Sequence, residues 1–123
     1  MTDDRAKLRP VDPSSGEHYE WGLGAEGWRL LTLPILSVIQ ERVPPGVGET
    51  RHFHVHAHQF FYLLSGTATL EFDHGRVSFK AGQGVHVVNG VKHRFMNDSD
   101  LDVVVLVISS VPTTGDRVDI DPA

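Results

Sequence analysis

Gly46-Val47-Gly48-Glu49-Thr50-Arg51-His52-Phe53-His54-Val55-His56-Ala57-His58-Gln59-Phe60-Phe61-Tyr62-Leu63-Leu64-Ser65-Gly66 sets four alternating histidines against an apolar run. The whole chain has eight histidines, so half of its imidazoles fall in this one stretch. Imidazoles concentrated ahead of strand-forming residues read as ligands for a transition metal mounted on a β-scaffold. Residues two apart on a strand point to the same face, so His52 and His54 can turn both rings into one interior. That spacing suits two metal–nitrogen bonds of about 2.0–2.1 Å. A catalytic site asks for further donors. Gln59, at the head of the next strand, can add an amide oxygen. His93, which follows the turn Asn89-Gly90 and shares a strand face with Phe95, is the distant candidate. His56 and His58 fall between the pair and the next strand, where a connecting loop is expected.

Working outward, the pattern is strand after strand. Trp28–Thr32 and 35–42 are rich in β-branched and large apolar residues, and Pro44-Pro45-Gly46 stops the second run. Thr67–Phe72 alternates polar and apolar, Asp73-His74-Gly75 turns the chain, and 76–79 resumes the alternation. Further strands are expected at 85–88, 93–97 and 102–109, separated by Asn89-Gly90 and Asn97-Asp98-Ser99-Asp100. No amphipathic helical stripe and no repeat interrupts this series. Many short strands with Gly-rich turns imply a sandwich or small barrel. We expect an N-terminal arm over 1–27, a β-barrel over 28–112, and a C-terminal tail or edge strand over 113–123. Trp21 and Trp28 are expected on the domain's outer face or in a subunit interface.

The 123 residues suffice for one domain with a real core. Acidic residues outnumber basic ones 16 to 11 without any Lys/Arg run, which argues against nucleic acid and anionic membranes as partners. The absence of cysteine excludes disulfides and thiolate metal sites. No signal peptide or spanning segment is visible, so a cytoplasmic protein is expected.

Two spaced motifs resemble the cupin superfamily. Gly46, His52, His54, Gln59 and Gly66 match its first motif without insertion, with Gln59 where Glu is usual. Gly82, Gly90, His93 and Asn97 match its second, with Val88 where Pro is usual. The flanks are also similar to a branch of small single-domain cupins in which Gln occupies this position. The resemblance implies an all-β, double-stranded β-helix (jelly-roll) barrel. It also implies one divalent metal, Fe, Mn, Ni, Co or Zn, held by His52, His54, Gln59 and His93. All four donors are neutral, so the metal's charge stays uncompensated, which weakens retention relative to Glu and strengthens the pull on an anionic ligand. Small cupins are commonly dimers, and a homodimer is expected.

Phe61, Leu63, Phe72, Phe95, Val105 and Val107 read as barrel core, merging with a small-molecule pocket to which Phe61, Phe72, His86 and Phe95 are assigned. Acid–base candidates are few. Glu49 and Glu71 are expected to face outward, leaving His86 or Tyr62 to serve. That scarcity favours chemistry the metal performs alone, such as dioxygen activation, on a small oxygen-rich and anionic substrate. The competing expectation is a non-catalytic, metal-dependent small-molecule binder or sensor.

Overall fold

A computed structural model describes residues 8–120. Among them the regular structure is all strand: β1 Glu17–Trp21, β2 Ala25–Leu33, β3 Leu36–Val43, β4 His52–His54, β5 His58–Ser65, β6 Thr67–Phe72, β7 Gly75–Lys80, β8 Gly84–Val87, β9 His93–Met96, β10 Val103–Ser110 and β11 Arg117–Asp119. No helix of the described residues is long and apolar enough to cross a membrane. The strands form a six-stranded sheet, β1-β2-β3-β10-β5-β8, and a five-stranded sheet, β11-β4-β9-β6-β7, with antiparallel neighbours throughout. This is the double-stranded β-helix.

Alternation decides which side chains close the barrel. In β10, Val103, Val105, Val107 and Ser109 are buried while the intervening residues face outward. In β5, Gln59, Phe61 and Leu63 turn inward, and Phe60 and Leu64 are exposed. From the other sheet, Ala68, Leu70, Phe79 and Phe95 complete the core. Phe61 stacks on Phe95 at 5.5 Å, and Phe79 meets Phe95 edge-on at 6.3 Å. These rings form an apolar floor beneath the histidines.

The expected arm over 1–27 contains, among its described residues, β1 and the start of β2. They make a hairpin on the edge of β3 in the same chain. Trp28 sits beside His18 on the outside, but Trp21 packs partly against the core and lines the interior cavity. The tail over 113–123 supplies β11, whose Arg117 and Asp119 pair with His54 and His52.

Asn97 ends the second motif and is fully buried. Its Nδ2 donates to the carbonyls of Val43 and Leu101, and its Oδ1 accepts from the Ser99 amide. One side chain thus ties the end of β3 to the turn before β10. Asn97→Ala strands buried backbone carbonyls and should cost about 2–4 kcal/mol in urea denaturation. A loss below about 0.5 kcal/mol would contradict this role.

Candidate metal centre and its cavity

β4 presents His52 and His54 to the same side, and β9 sets His93 directly opposite His52. Gln59 reaches the same point from β5 in the other sheet, so the cluster bridges the two sheets. All three imidazoles are buried, and their candidate ligand atoms lie within 4.8 Å of one another. Two turns fix the cluster. The Gly90 amide donates to the His54 carbonyl at 2.7 Å, fastening the turn before β9 to the end of β4. Asp116 accepts from the amides of His56 and Ala57, clamping the loop that leads to β5.

Ring orientation is set by backbone carbonyls. His52 Nδ1 donates to Thr50 O at 2.6 Å, and His93 Nδ1 donates to Val91 O at 2.8 Å. In neutral imidazole this leaves each Nε2 as a bare lone pair. Burial depresses the His93 pKa to about 4, and burial with the neighbouring histidines takes His54 to about 4. His52 is lowered as well, again chiefly by burial. All three are therefore neutral near pH 7.

Two features fit this donor set to a cation. His93 Nε2 lies 3.2 Å from Gln59 Oε1, so two lone pairs face each other with no hydrogen between them. Gln59 Nε2 meanwhile donates to Ser109 Oγ at 3.3 Å. Both nitrogens of His54 are buried without a hydrogen-bond partner. An orphaned imidazole and an acceptor–acceptor contact are unfavourable alone. A positive ion between the groups relieves both. Three neutral imidazoles and an amide oxygen suit a first-row divalent metal.

The cluster opens into a cavity of about 390 Å³. His52, His54, Gln59 and Ser109 line one end, Ile39, Phe61 and Val107 form an apolar waist, and Tyr19, Trp21 and Glu41 line the other end. Phe61 is thus in the cavity wall. Phe95 lies beneath it in the core, and Phe72 packs at the end of β6 beside the surface groove of Asp73 and Lys92. His86 and Tyr62 correct the expectation that they supply acid–base groups. Both stand on the outer face, where His86 stacks on His58 at 5.2 Å and Tyr62 on Phe60 at 6.3 Å. Parity explains this: Val85 and Val87 turn toward the interior in β8, and Phe61 and Leu63 in β5, so their neighbours point out.

Glu49 is the larger correction. Glu71 pairs with Arg76 and Arg94 toward the surface, but Glu49 faces the cavity. Its Oε1 accepts from the Phe95 amide at 3.1 Å, and its Oε2 lies 3.9 Å from His52 Nε2 and 3.9 Å from Arg117. Burial lifts its carboxyl pKa to about 7 against the pull of the Phe95 amide and Arg117. Glu41 is also lifted to about 7, by burial first and by the charge of Glu49 second. The cavity therefore holds two carboxyls that exchange protons near neutrality.

These shifts set opposed pH dependences in metal-free protein. The folded pKa of Glu41 and Glu49 near 7 exceeds the ordinary 4.5, so their contribution to stability declines as pH rises from 4.5 to 7. His54 and His93 fall from 6.5 to about 4, so their contribution grows as pH rises from 4 to 6.5. Between about pH 4.5 and 6.5 the two effects oppose each other, and stability should be nearly flat. The Glu41→Gln, Glu49→Gln double variant should instead gain stability steeply across that window in chemical denaturation. A flat profile in the variant would contradict the assignments.

Residues 39–109 match the family model described as the cupin domain. Sixty residues are 30% identical to Protein SchB of Streptomyces halstedii, covering 49% of this chain and 44% of that protein, so the match spans less than half of the curated relative. The polyketide cyclase RemF from Streptomyces resistomycificus superposes with a TM-score of 0.78 at 17% identity, over 94% of this chain and 87% of that one. A cupin-superfamily sugar phosphate isomerase from Silicibacter pomeroyi gives 0.75 at 22% identity, over 85% and 76%. At such identities the likeness of the solved structures is one of fold.

Proposed function

Because this chain belongs to the cupin-domain family, we propose that it is a metal-dependent enzyme that moves protons on a small, oxygen-rich substrate bound in the cavity. His52, His54, His93 and Gln59 would hold the divalent metal, and Glu49 carries the proton. The metal supplies Lewis-acid polarisation of a substrate oxygen. Everything else is the work of side chains. The Phe95 amide fixes one oxygen of Glu49 and leaves the other facing the cavity. Arg117 steadies the ionised form. Ile39, Phe61 and Val107 exclude water from the waist.

The observation that carries this reading is the placement of Glu49 Oε2 3.9 Å from His52 Nε2, inside the same cavity as the imidazoles. A buried carboxyl with one oxygen anchored and the other facing the cavity is the kind of group a general acid–base step requires. It displaces dioxygen activation as the favoured chemistry, because that expectation rested on the absence of such a group. The names of two structural neighbours, an isomerase and a cyclase, support rearrangement without net oxidation.

Solvent-deuterium exchange tests the reading. Metal-loaded protein should accelerate exchange of the central methylene protons of simple β-diketones, followed by NMR, and chelation of the metal should abolish the acceleration. A protein that binds metal yet exchanges none of a diketone, hydroxyketone and keto-acid panel would be a binder instead. Gln59→Glu gives a separate expectation. A carboxylate beside the ion should tighten metal binding by about 10-fold or more, measured by competition with a chromogenic chelator. Unchanged affinity would remove Gln59 from the ligand set.

A further inference from the structure

Strands β1, β2 and β3 place Tyr19, Gly27 and Glu41 in one row, Tyr19 opposite Gly27 and Gly27 opposite Glu41. The Tyr19 ring leans across β2 through the space a side chain at 27 would fill. A Cβ on Gly27 would come within 2.4 Å of the ring carbon Cζ. The hydroxyl thereby reaches over a whole strand and donates to Glu41 Oε2 at 2.5 Å. Arg29 covers the outer side of the ring, its guanidinium carbon 4.8 Å from the centroid. Beside them the Trp21 indole Nε1 is buried and turned toward the Glu41 carboxyl.

Tying the hairpin to the barrel does not explain this arrangement. A glutamine at 41 would also accept the Tyr19 hydroxyl, more weakly but without the cost of a buried acid. The strand pattern makes the acid conspicuous, since Ile39 and Glu41 share the inward face and both line the cavity. The carboxyl, the phenol and the indole N–H, which also turns to Glu41, converge on the end remote from His52 and His54, beyond the Ile39–Val107–Phe61 layer. A ligand lying along the cavity meets imidazoles at one end and the Glu41 carboxyl, its one strong acceptor, at the other.

We propose that Glu41, oriented by Tyr19, is a substrate-recognition site for a hydroxyl group, and that the substrate is a flat phenolic or enolic ketone. Its carbonyl oxygens lie toward the histidines, its ring occupies the Ile39–Phe61–Val107 waist, and its hydroxyl donates to Glu41. The Glu41 carboxyl at this pole disfavours a ligand with a second anionic group there, such as a dicarboxylate. Glu41 acts through recognition, whereas Glu49 carries the reaction's proton. The inference rests on this cavity being the substrate site.

Matched probes separate the two ideas. Para-hydroxybenzoylacetone and benzoylacetone share a diketone and a ring and differ by one hydroxyl. In titration calorimetry with metal-loaded protein, the hydroxylated ligand should bind about 10-fold or more tightly, as expected for a hydrogen bond to a charged acceptor. Glu41→Gln and Tyr19→Phe should each shrink that preference to about threefold or less, with bound metal unchanged. Both variants are near-isosteric, and circular dichroism confirms their fold. A wild-type preference near unity, or one that survives both variants, overturns the recognition role while leaving the enzyme reading intact. Binding of neither probe overturns the substrate class. Loss of metal binding in wild-type protein overturns the underlying reading of the site.

Discussion

His54→Ala should abolish tight metal binding, lowering affinity for a divalent first-row metal by more than about 100-fold, since even outer-sphere partners of ligands are worth 10–100-fold. The same substitution should leave metal-free stability almost unchanged. Both ring nitrogens of His54 are buried without partners, so deleting the ring removes packing but also an unsatisfied polar group. In wild-type protein, metal at about 100 times its dissociation constant should add about 2.7 kcal/mol to unfolding, and the variant should show none of that gain. The combination separates a ligand from a structural histidine. A structural role predicts the reverse: a destabilised metal-free variant in which metal still protects. Thermal unfolding with and without excess metal distinguishes the two.

Glu49→Gln, assayed at saturating metal, should lower turnover by about 10²–10⁴-fold, the range contributed by a positioned acid or base. The substitution keeps the acceptor for the Phe95 amide and removes only the titrating oxygen. Wild-type activity should therefore carry a limb set by the Glu49 carboxyl, and the variant should lose that limb of the profile. The variant should also be the more stable protein above pH 7. There the native carboxylate is charged in a buried site, and stability lost between pH 4.5 and 7 is restored when the charge is removed. A slower but more stable variant is the signature of a residue kept for chemistry. Unchanged turnover on a substrate that wild type converts would reassign the proton to another group.

The motifs made the histidine cluster, a candidate metal site, legible because their spacing maps onto barrel geometry. His52 and His54 share a face by parity, and the pairing of β4 with β9 brings His93 across. Gln59 was legible for the same reason, as the first inward residue of β5. The cavity carboxyls were not. Glu49 lies between β3 and β4, where no alternation assigns a face, and only the Phe95 amide and the Gly48–Met96 bridge turn it inward. Glu41 did carry a signal. It stands on the apolar face of a strand, between Ile39 and Val43, where a charge is costly. His86 and Tyr62 illustrate the converse. Once Phe61 is assigned inward, Tyr62 must face out, and the phenol that reaches the cavity comes from Tyr19 in the hairpin. That contact needed the bare Gly27 on an intervening strand, a three-strand coincidence with no local sequence pattern.

X-ray absorption spectroscopy of metal-loaded protein tests the central claim most directly. The account predicts a first shell of three imidazole nitrogens with oxygen donors completing it, reduced to two imidazoles by His54→Ala. A shell with fewer than three imidazoles in wild type, or one unaltered by that substitution, would contradict it.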